Sequence, residues 1–302
     1  MRKRLLRALL LTAAALLFIR TVPAARAASV RSFPETAFVY PVYSVRTEVN
    51  GVRHQLQGAC TDGRYIWGGW NNRRIITRLD ITTMELQTRE FTEEEWVCGH
   101  INDMAYNPNT NLLYVVGYDP NDFSTRGNIV MFDPITLEYR GMIRLRHDGE
   151  MIPINSMVYD RRNDRYIVSL AGKAGKDNVI LDADFRYVGP LTLERAETLT
   201  LQGFDTDGEY LYRSVWDKNS GNFITVYDMD GRFLAQIDTG VSGKAMELED
   251  IMYDWNGAWY LNCSHCDGTG GSFFYTQLVP NEDPSLWENI LGRIAAPVSD
   301  LL

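Results

Sequence analysis

An all-β fold, built from a four-stranded antiparallel unit repeated five times and closed into a ring, is predicted by three features of this 302-residue chain. The first is a seven-residue phrase that occurs five times without a gap, at Leu56–Asp62, Ile101–Asn107, Ile154–Asp160, Leu201–Asp207 and Leu248–Asp254. Its second residue is Gln57, Asn102, Asn155, Gln202 or Glu249, at successive steps of 45, 53, 47 and 47 residues. A period of about 40–50 residues carried by short strands is the mark of a β-propeller blade. The second feature is turn chemistry at a fixed offset. Asp62-Gly63 and Asp207-Gly208 sit where a hairpin needs φ > 0, and Asn107-Pro108 and Asp160-Arg161 open longer turns at the same place. The third is composition: 45% apolar is ordinary for a globular protein, and 12% aromatic suits pleated faces.

In chain order, residues 1–27 stand apart from this pattern. Arg2, Lys3, Arg4 and Arg7 precede the apolar run Ala8 to Ile19, and Ala25-Arg26-Ala27 places small residues at cleavage spacing. This is the pattern of a secretory signal peptide. The twelve-residue run is too short to cross a bilayer, which takes about 20 residues. We therefore expect export to the periplasm or the medium, cleavage near Ala27, and no membrane span. Cleavage removes six arginines and lysines and no acid, taking the formal charge from −9 to −15. A surface this acidic repels phosphate backbones and anionic head groups, which argues against nucleic acid as a partner.

The propeller is expected over residues 33–280, as a monomer. Thr36 to Arg46 is strand-like and precedes the first repeat. In that repeat the expected strands are Gln57 to Thr61, Tyr65 to Trp70, Ile75 to Asp80 and Glu85 to Phe91. The fifth repeat is one strand short: Leu248 to Tyr253, Ala258 to Asn262 and Ser272 to Leu278 are followed by Pro280, Asp283 and Pro284. The N-terminal segment is expected to supply the missing outer strand, which removes a free edge. Residues 281–302 read as a short amphipathic helix, with Asp283-Pro284 as cap and first turn and with Leu286, Trp287, Ile290, Leu291 and Ile294 on one face.

The third strands end in Leu79-Asp80, Phe132-Asp133 and Tyr227-Asp228, each before a turn. With Tyr114-Val115-Val116 and Val130 to Thr136, this resembles the YVTN-type and quinoprotein-like propeller repeats of bacteria, over about residues 50–280. The resemblance implies a five-bladed propeller and says little of function.

The innermost strand of a blade lines the central channel, so the column Gln57, Asn102, Asn155, Gln202 and Glu249 is a candidate ring of ligand-binding oxygens. The next column is Gly58, Asp103, Ser156, Gly203 and Asp250. Such rings also hold water and cross-link blades by hydrogen bonds. As a site, they suit a ligand or a hard cation such as Ca²⁺, with Asp103, Glu249 and Asp250 supplying charge. Glu247 and Glu249 lie two apart on one strand, where like charges raise at least one pKa and can serve acid/base chemistry; Lys244 or an arginine is the alternative counter-charge. Met246-Glu247-Leu248-Glu249 resembles the Asn-Glu-Leu-Glu motif of the glutaminyl cyclotransferases, which are also five-bladed, and Gln57-Gly58 with Asp62-Gly63 resembles their first blade. Met246 stands where that motif has Asn, and Gly68 follows Trp67 where an acid is expected. This resemblance implies an enzyme using Glu247 and Glu249.

Trp70, Tyr118 and Trp216 precede the loops that face the same end of the channel, a setting that suits a sugar or peptide, although aromatics at strand ends more often pack on neighbouring blades. Cys60, Cys98, Cys263 and Cys266 are an even count in an exported protein, and a local Cys263–Cys266 disulfide is expected. Zinc on Cys98, His100, Cys263, His265 and Cys266, or a cysteine nucleophile with His100 or His265 as base, uses the same residue types. No nucleophile elbow, phosphate loop or dinucleotide fingerprint occurs. The expectation is a secreted propeller that binds an envelope glycan, peptide or small molecule at the channel mouth. The alternative is an enzyme using the paired glutamates, cyclotransferase-like or carbohydrate-active.

Overall fold

The computed structural model describes residues 31–278 except 47, 50–51, 72–73, 93–94, 96–99, 120–121, 172–176 and 196–199. Contacts divide the chain after Ser32. The first unit lies almost wholly outside the described residues, so the expected signal peptide at 1–27 does too, as does the helix expected at 281–302.

From Phe33 to Leu278 the described residues form a β-propeller. The repeated phrase forms the inner strands Val52–Thr61, His100–Asn107, Ile154–Asp160, Thr200–Thr206 and Met246–Tyr253. The first runs outward through Tyr65–Trp70 and Ile75–Asp80 to Glu85–Glu90. The second, third and fourth repeats do the same and end at Tyr139–Arg144, Tyr187–Thr192 and Phe233–Asp238. Inner strands neighbour one another in sequence, and the last returns to the first. Among the described residues the one helical element is the 3₁₀ turn Phe123–Gly127.

Packing between sheets explains the apolar runs. Trp67 and Ile76 of the first sheet meet Met104, Leu113, Val130 and Phe132 of the second. Equivalent clusters fill the other four seams. Each sheet is therefore buried on both faces, and second strands such as Tyr65–Trp70 read as nearly continuous hydrophobic runs. Every fully buried Leu, Ile or Phe contributes roughly 1.5–3 kcal/mol.

The last residue of the phrase is a turn-maker. Asp62, Asn107, Asp160, Asp207 and Asp254 each accept a backbone N–H two residues on, through a side-chain oxygen. Asp80, Asp133, Asp182 and Asp228 do the same at the outer hairpins. Such Asx turns mimic a backbone turn and fix hairpin register. The Asp-Gly glycines hold φ of +91° at Gly63 and +81° at Gly208, as the hairpin argument requires.

The N-terminal strand closes the ring. Phe38–Arg46 pairs antiparallel with Thr269–Gln277, from Phe38 opposite Gln277 to Arg46 opposite Gly270. The preceding residues also reach the fourth sheet: Ala37 donates its N–H to the Asp238 carbonyl at 2.8 Å, and Asp238 donates to the Glu35 carbonyl at 2.9 Å. The fifth sheet thus takes its fourth strand from the opposite end of the chain.

Candidate functional site

All five inner strands carry a β-bulge at one place. Register shifts between Leu56 and Ala59, Ile101 and Asp103, Ile154 and Ser156, Leu201 and Phe204, and Leu248 and Asp250. The extra residue is the polar column: Gln57, Asn102, Asn155, Gln202 and Glu249. A bulge breaks the in-out alternation and re-aims a side chain. Here it turns polar residues away from the apolar seams.

These side chains bond across strands in two groups. Gln57 Nε2 donates to Glu249 Oε1 at 2.6 Å, and Ser264 Oγ donates to the same oxygen at 2.7 Å. Gln202 Nε2 donates to Glu247 Oε1 at 2.6 Å. The two glutamates of one strand thus reach the carboxamides of both flanking inner strands. The second group is Asn102 Nδ2 donating to Asn155 Oδ1 at 3.2 Å. Glu249 is buried and Glu247 half-buried. Burial pushes both carboxyls above the ordinary range, Glu249 far above it, and the charge on Glu247 adds to the rise at Glu249. The partners are amides and a hydroxyl, in place of the lysine or arginine counter-charge considered from sequence.

The next column acts differently. Asp103 takes the Met104 N–H at 2.6 Å and the Met157 N–H of the following inner strand at 2.9 Å. Asp250 takes the Ile251 N–H and, on the following strand, the Ala59 N–H, both at 2.8 Å. The two carboxyls are near enough to interact, so that they titrate as a pair. Burial pushes Asp103 up to about 7 and Asp250 well above its usual value, the latter also through the Asp103 charge. This pair lies one residue beyond the bulge column on the inner strands. Beside it lies Arg213, buried, donating to Ser169 Oγ at 3.0 Å, with its guanidinium 5.2 Å from the Phe204 ring; burial lowers it to about 10. No motif marks Arg213 in the sequence; a lone charge inside the apolar run of a second strand was its one signal.

Several expected site residues are placed elsewhere. Trp70 is fully buried in the seam of the fifth and first sheets, with Leu56, Ile66 and Phe273, because the in-pointing position of its strand faces that cluster. Trp216 stays half-buried, and its indole N–H donates to the Gly243 carbonyl at 3.0 Å. Among the described residues no three His, Cys, Asp or Glu side chains are arranged to hold a metal ion. Of the residues considered for Ca²⁺, Asp103 and Asp250 accept strand N–H groups, and Glu249 accepts from Gln57 and Ser264. The Cys263–Cys266 disulfide is absent, both thiols being free. Cys263 lies on the strand Trp259–His265 and enters the core, while Cys266 is exposed in the turn that follows it. Burial raises both thiols, which disfavours thiolate chemistry. Cys98 lies outside the described residues. His265 is tied to Ser272 Oγ at 2.8 Å, and His100 Nδ1 to Asn71 Oδ1 at 2.7 Å, with burial holding His100 down at about 4.

No family model and no curated protein sequence matches the chain. Solved structures match its fold. The glutaminyl cyclase of Myxococcus xanthus superimposes with a TM-score of 0.55 at 13% identity, over 82% of this chain and 98% of that one. The PQQ-bound aldose sugar dehydrogenase of Streptomyces coelicolor superimposes with a TM-score of 0.54 at 10% identity, over 82% of this chain and 100% of that one. At such identities the likeness is one of architecture, and the architecture is that of a β-propeller.

Proposed function

We propose that this is an exported five-bladed propeller of the YVTN-like kind, with a mature chain starting near Ala28, that binds a small polar ligand at the channel mouth. The ligand is a glycan, a peptide or a small metabolite with several hydrogen-bond donors. One observation carries this reading: Glu247 and Glu249 project among Gln57, Gln202 and Ser264, so a single strand gathers acceptors and amides from three blades. Amides already bonded to carboxyls are pre-oriented for exchange with a ligand that brings hydroxyl or amine groups. Glu249→Gln keeps the shape and removes the acid. A hydrogen bond to a neutral group is worth about 0.5–1.5 kcal/mol, so affinity should fall by about two- to tenfold in calorimetric titration against ligands retained from an envelope extract. Equal affinity in the variant would remove the mouth from consideration.

The raised carboxyls favour a second reading, as an acyl-transfer enzyme. With an N-terminal glutaminyl peptide, the α-amine would attack the side-chain carboxamide carbon; the C–N bond to the amide nitrogen breaks and ammonia leaves, one glutamate passing the proton from amine to leaving group. Ammonia release by the intact protein, abolished in both Glu247→Gln and Glu249→Gln, would support it. The absence of release from any glutaminyl peptide tested leaves binding as the reading.

A further inference from the structure

The rim of the mouth carries charge of the opposite sign to the glutamates inside it. After residue 27, lysine occurs at positions 173, 176, 218 and 244 alone. Lys218 lies in the turn between Tyr210–Asp217 and Gly221–Asp228, and Lys244 just before the inner strand Met246–Tyr253. Both stand at the Glu247 end of their strands, since Trp216 pairs with Thr200 at the start of the fourth inner strand. Lys173 and Lys176 lie outside the described residues. No described strand, and no turn that follows an inner strand, carries a lysine.

Lys218 and Lys244 line one open groove of about 370 Å³. Lys244 also lines a second, of about 460 Å³, with Met246, His265 and Cys266. Small-molecule sites span about 300–1,000 Å³. The Gly243 carbonyl accepts the Trp216 indole N–H at 3.0 Å and the Cys266 thiol at 3.7 Å, which ties the wall of the first groove to that of the second. The second groove runs up to the acids: Met246 precedes Glu247, and the Cys266 thiol feels the charges of Glu247, Glu249 and Lys218. The aspartates beside the grooves are turned to their own loops. Asp217 accepts the N–H groups of Asn219 and Ser220 at 2.9 and 2.6 Å, Asp238 that of Gly240 at 2.8 Å, and Asp267 that of Thr269 at 2.9 Å. Neither lysine makes an ion pair among the described residues.

We propose that the mouth binds an acidic sugar of the uronate class, its carboxylate held by Lys218 and Lys244 and its hydroxyls by Glu247, Glu249, Gln57 and Gln202. The inference rests on the reading of the mouth as a ligand site and names the class of ligand. A sugar hydroxyl both donates and accepts, so it matches a carboxyl bonded to a carboxamide, which offers an acceptor and a donor side by side. A lysine ammonium is a compact point charge with three donors on a flexible stem, suited to a carboxylate in an open groove. Burial raises both glutamates, which lessens the negative charge that an arriving anion meets. An acidic peptide would offer carboxylates to the lysines equally well, but it brings few hydroxyls for the acids and amides within.

The test is calorimetric titration of the intact protein with galacturonate and with galactose, which differ by a carboxylate in place of a hydroxymethyl group. Saturable binding of galacturonate is expected, at least tenfold tighter than that of galactose. It should weaken several-fold between about 50 and about 500 mM sodium chloride, because salt screens exposed charges. Lys218→Gln combined with Lys244→Gln should bring the two sugars to equal affinity at an unchanged melting temperature, both side chains being exposed. Glu249→Gln should weaken both sugars and keep the preference for galacturonate. Equal affinity of the parent for both sugars, with Glu249→Gln weakening both, would overturn the uronate assignment while supporting the mouth as a site. No saturation by either sugar at tens of millimolar, parental galacturonate binding in the double lysine variant, or a short glutamate peptide binding as tightly as galacturonate would each overturn the proposal.

Discussion

Gly203 has no room for a side chain. A Cβ there would stand 2.1 Å from Asp250 Oδ1, and one at Gly58 would stand 2.2 Å from the Asp103 Cα. The glycines of the second column exist to let the acids of the neighbouring blades approach the channel. Gly203→Ala should therefore push Asp250 off the Ala59 N–H; with a buried acid left partly unpaired we expect a loss of about 2–4 kcal/mol. At this chain length that lowers the melting temperature by several degrees, and a calorimetric scan within 1 °C of the parent would contradict the account. The alternation of small and acidic residues in this column was visible in the sequence. What the acids do was not, because an aspartate bonding a backbone N–H on the next strand and an aspartate binding Ca²⁺ draw on the same residue type. Position decided it: Asp103 and Asp250 follow the bulge and aim along the ring, whereas Glu249 lies on the bulge itself.

Among the secondary-structure elements, bulge and closing strand had opposite legibility. The outer strands of the first repeat lie almost where the turn residues put them, since Asp62, Gly63 and Asp80 fix the hairpins locally. The closing strand could be found by counting, because the fifth repeat lacked one strand and Phe38 to Val45 had the pattern to supply it. Nothing local announces a bulge: two residues opposite one is a property of the pair. The closing strand still presents an outer edge, and Pro41 sits where its own register shifts, which blunts that edge against further pairing. Removing residues 33–46 would uncover Thr269–Gln277 along its whole length and also cut the ties to Asp238. The truncated protein should elute as aggregates in size-exclusion chromatography and lose its cooperative melt. A monomer that melts as the parent does would show that the strand is an accessory.

At the scale of the whole molecule, the acids fall into two populations with opposite pH dependence. Asp80 and Asp133 are held below the usual range, where hydrogen bonds from their turns outweigh burial, Asp133 at about 2. A carboxylate with a lowered folded pKa contributes stability that is present above its unfolded value, about 4, and is lost as pH falls through the folded value. Asp103, Asp205, Glu249 and Asp250 are raised by burial, Asp103 to about 7. Their contribution is complete below about 4 and is lost as pH rises through the folded values. Stability should therefore peak at about pH 4 and decline above it. Thermal melts from pH 4 to 9 check this, and Asp103→Asn should flatten part of the alkaline decline. A melting temperature that climbs steadily to pH 9 would mean that the buried acids are ionised at no cost.

The carboxylate clamps are also unevenly spread around the ring. Asp103 fastens the second sheet to the third, Asp205 the fourth to the fifth, and Asp250 the fifth to the first. The joints between first and second and between third and fourth have Gly58 and Ser156 in the column of Asp103 and Asp250, and Cys60 and Val158 in the column of Asp205. A hoop parts at its weakest joints, and by these clamps it would come apart as two staves: the first sheet with the fourth and fifth, and the second with the third. Force applied across the molecule, or a protease waiting for a transient gap, would find those two joints first.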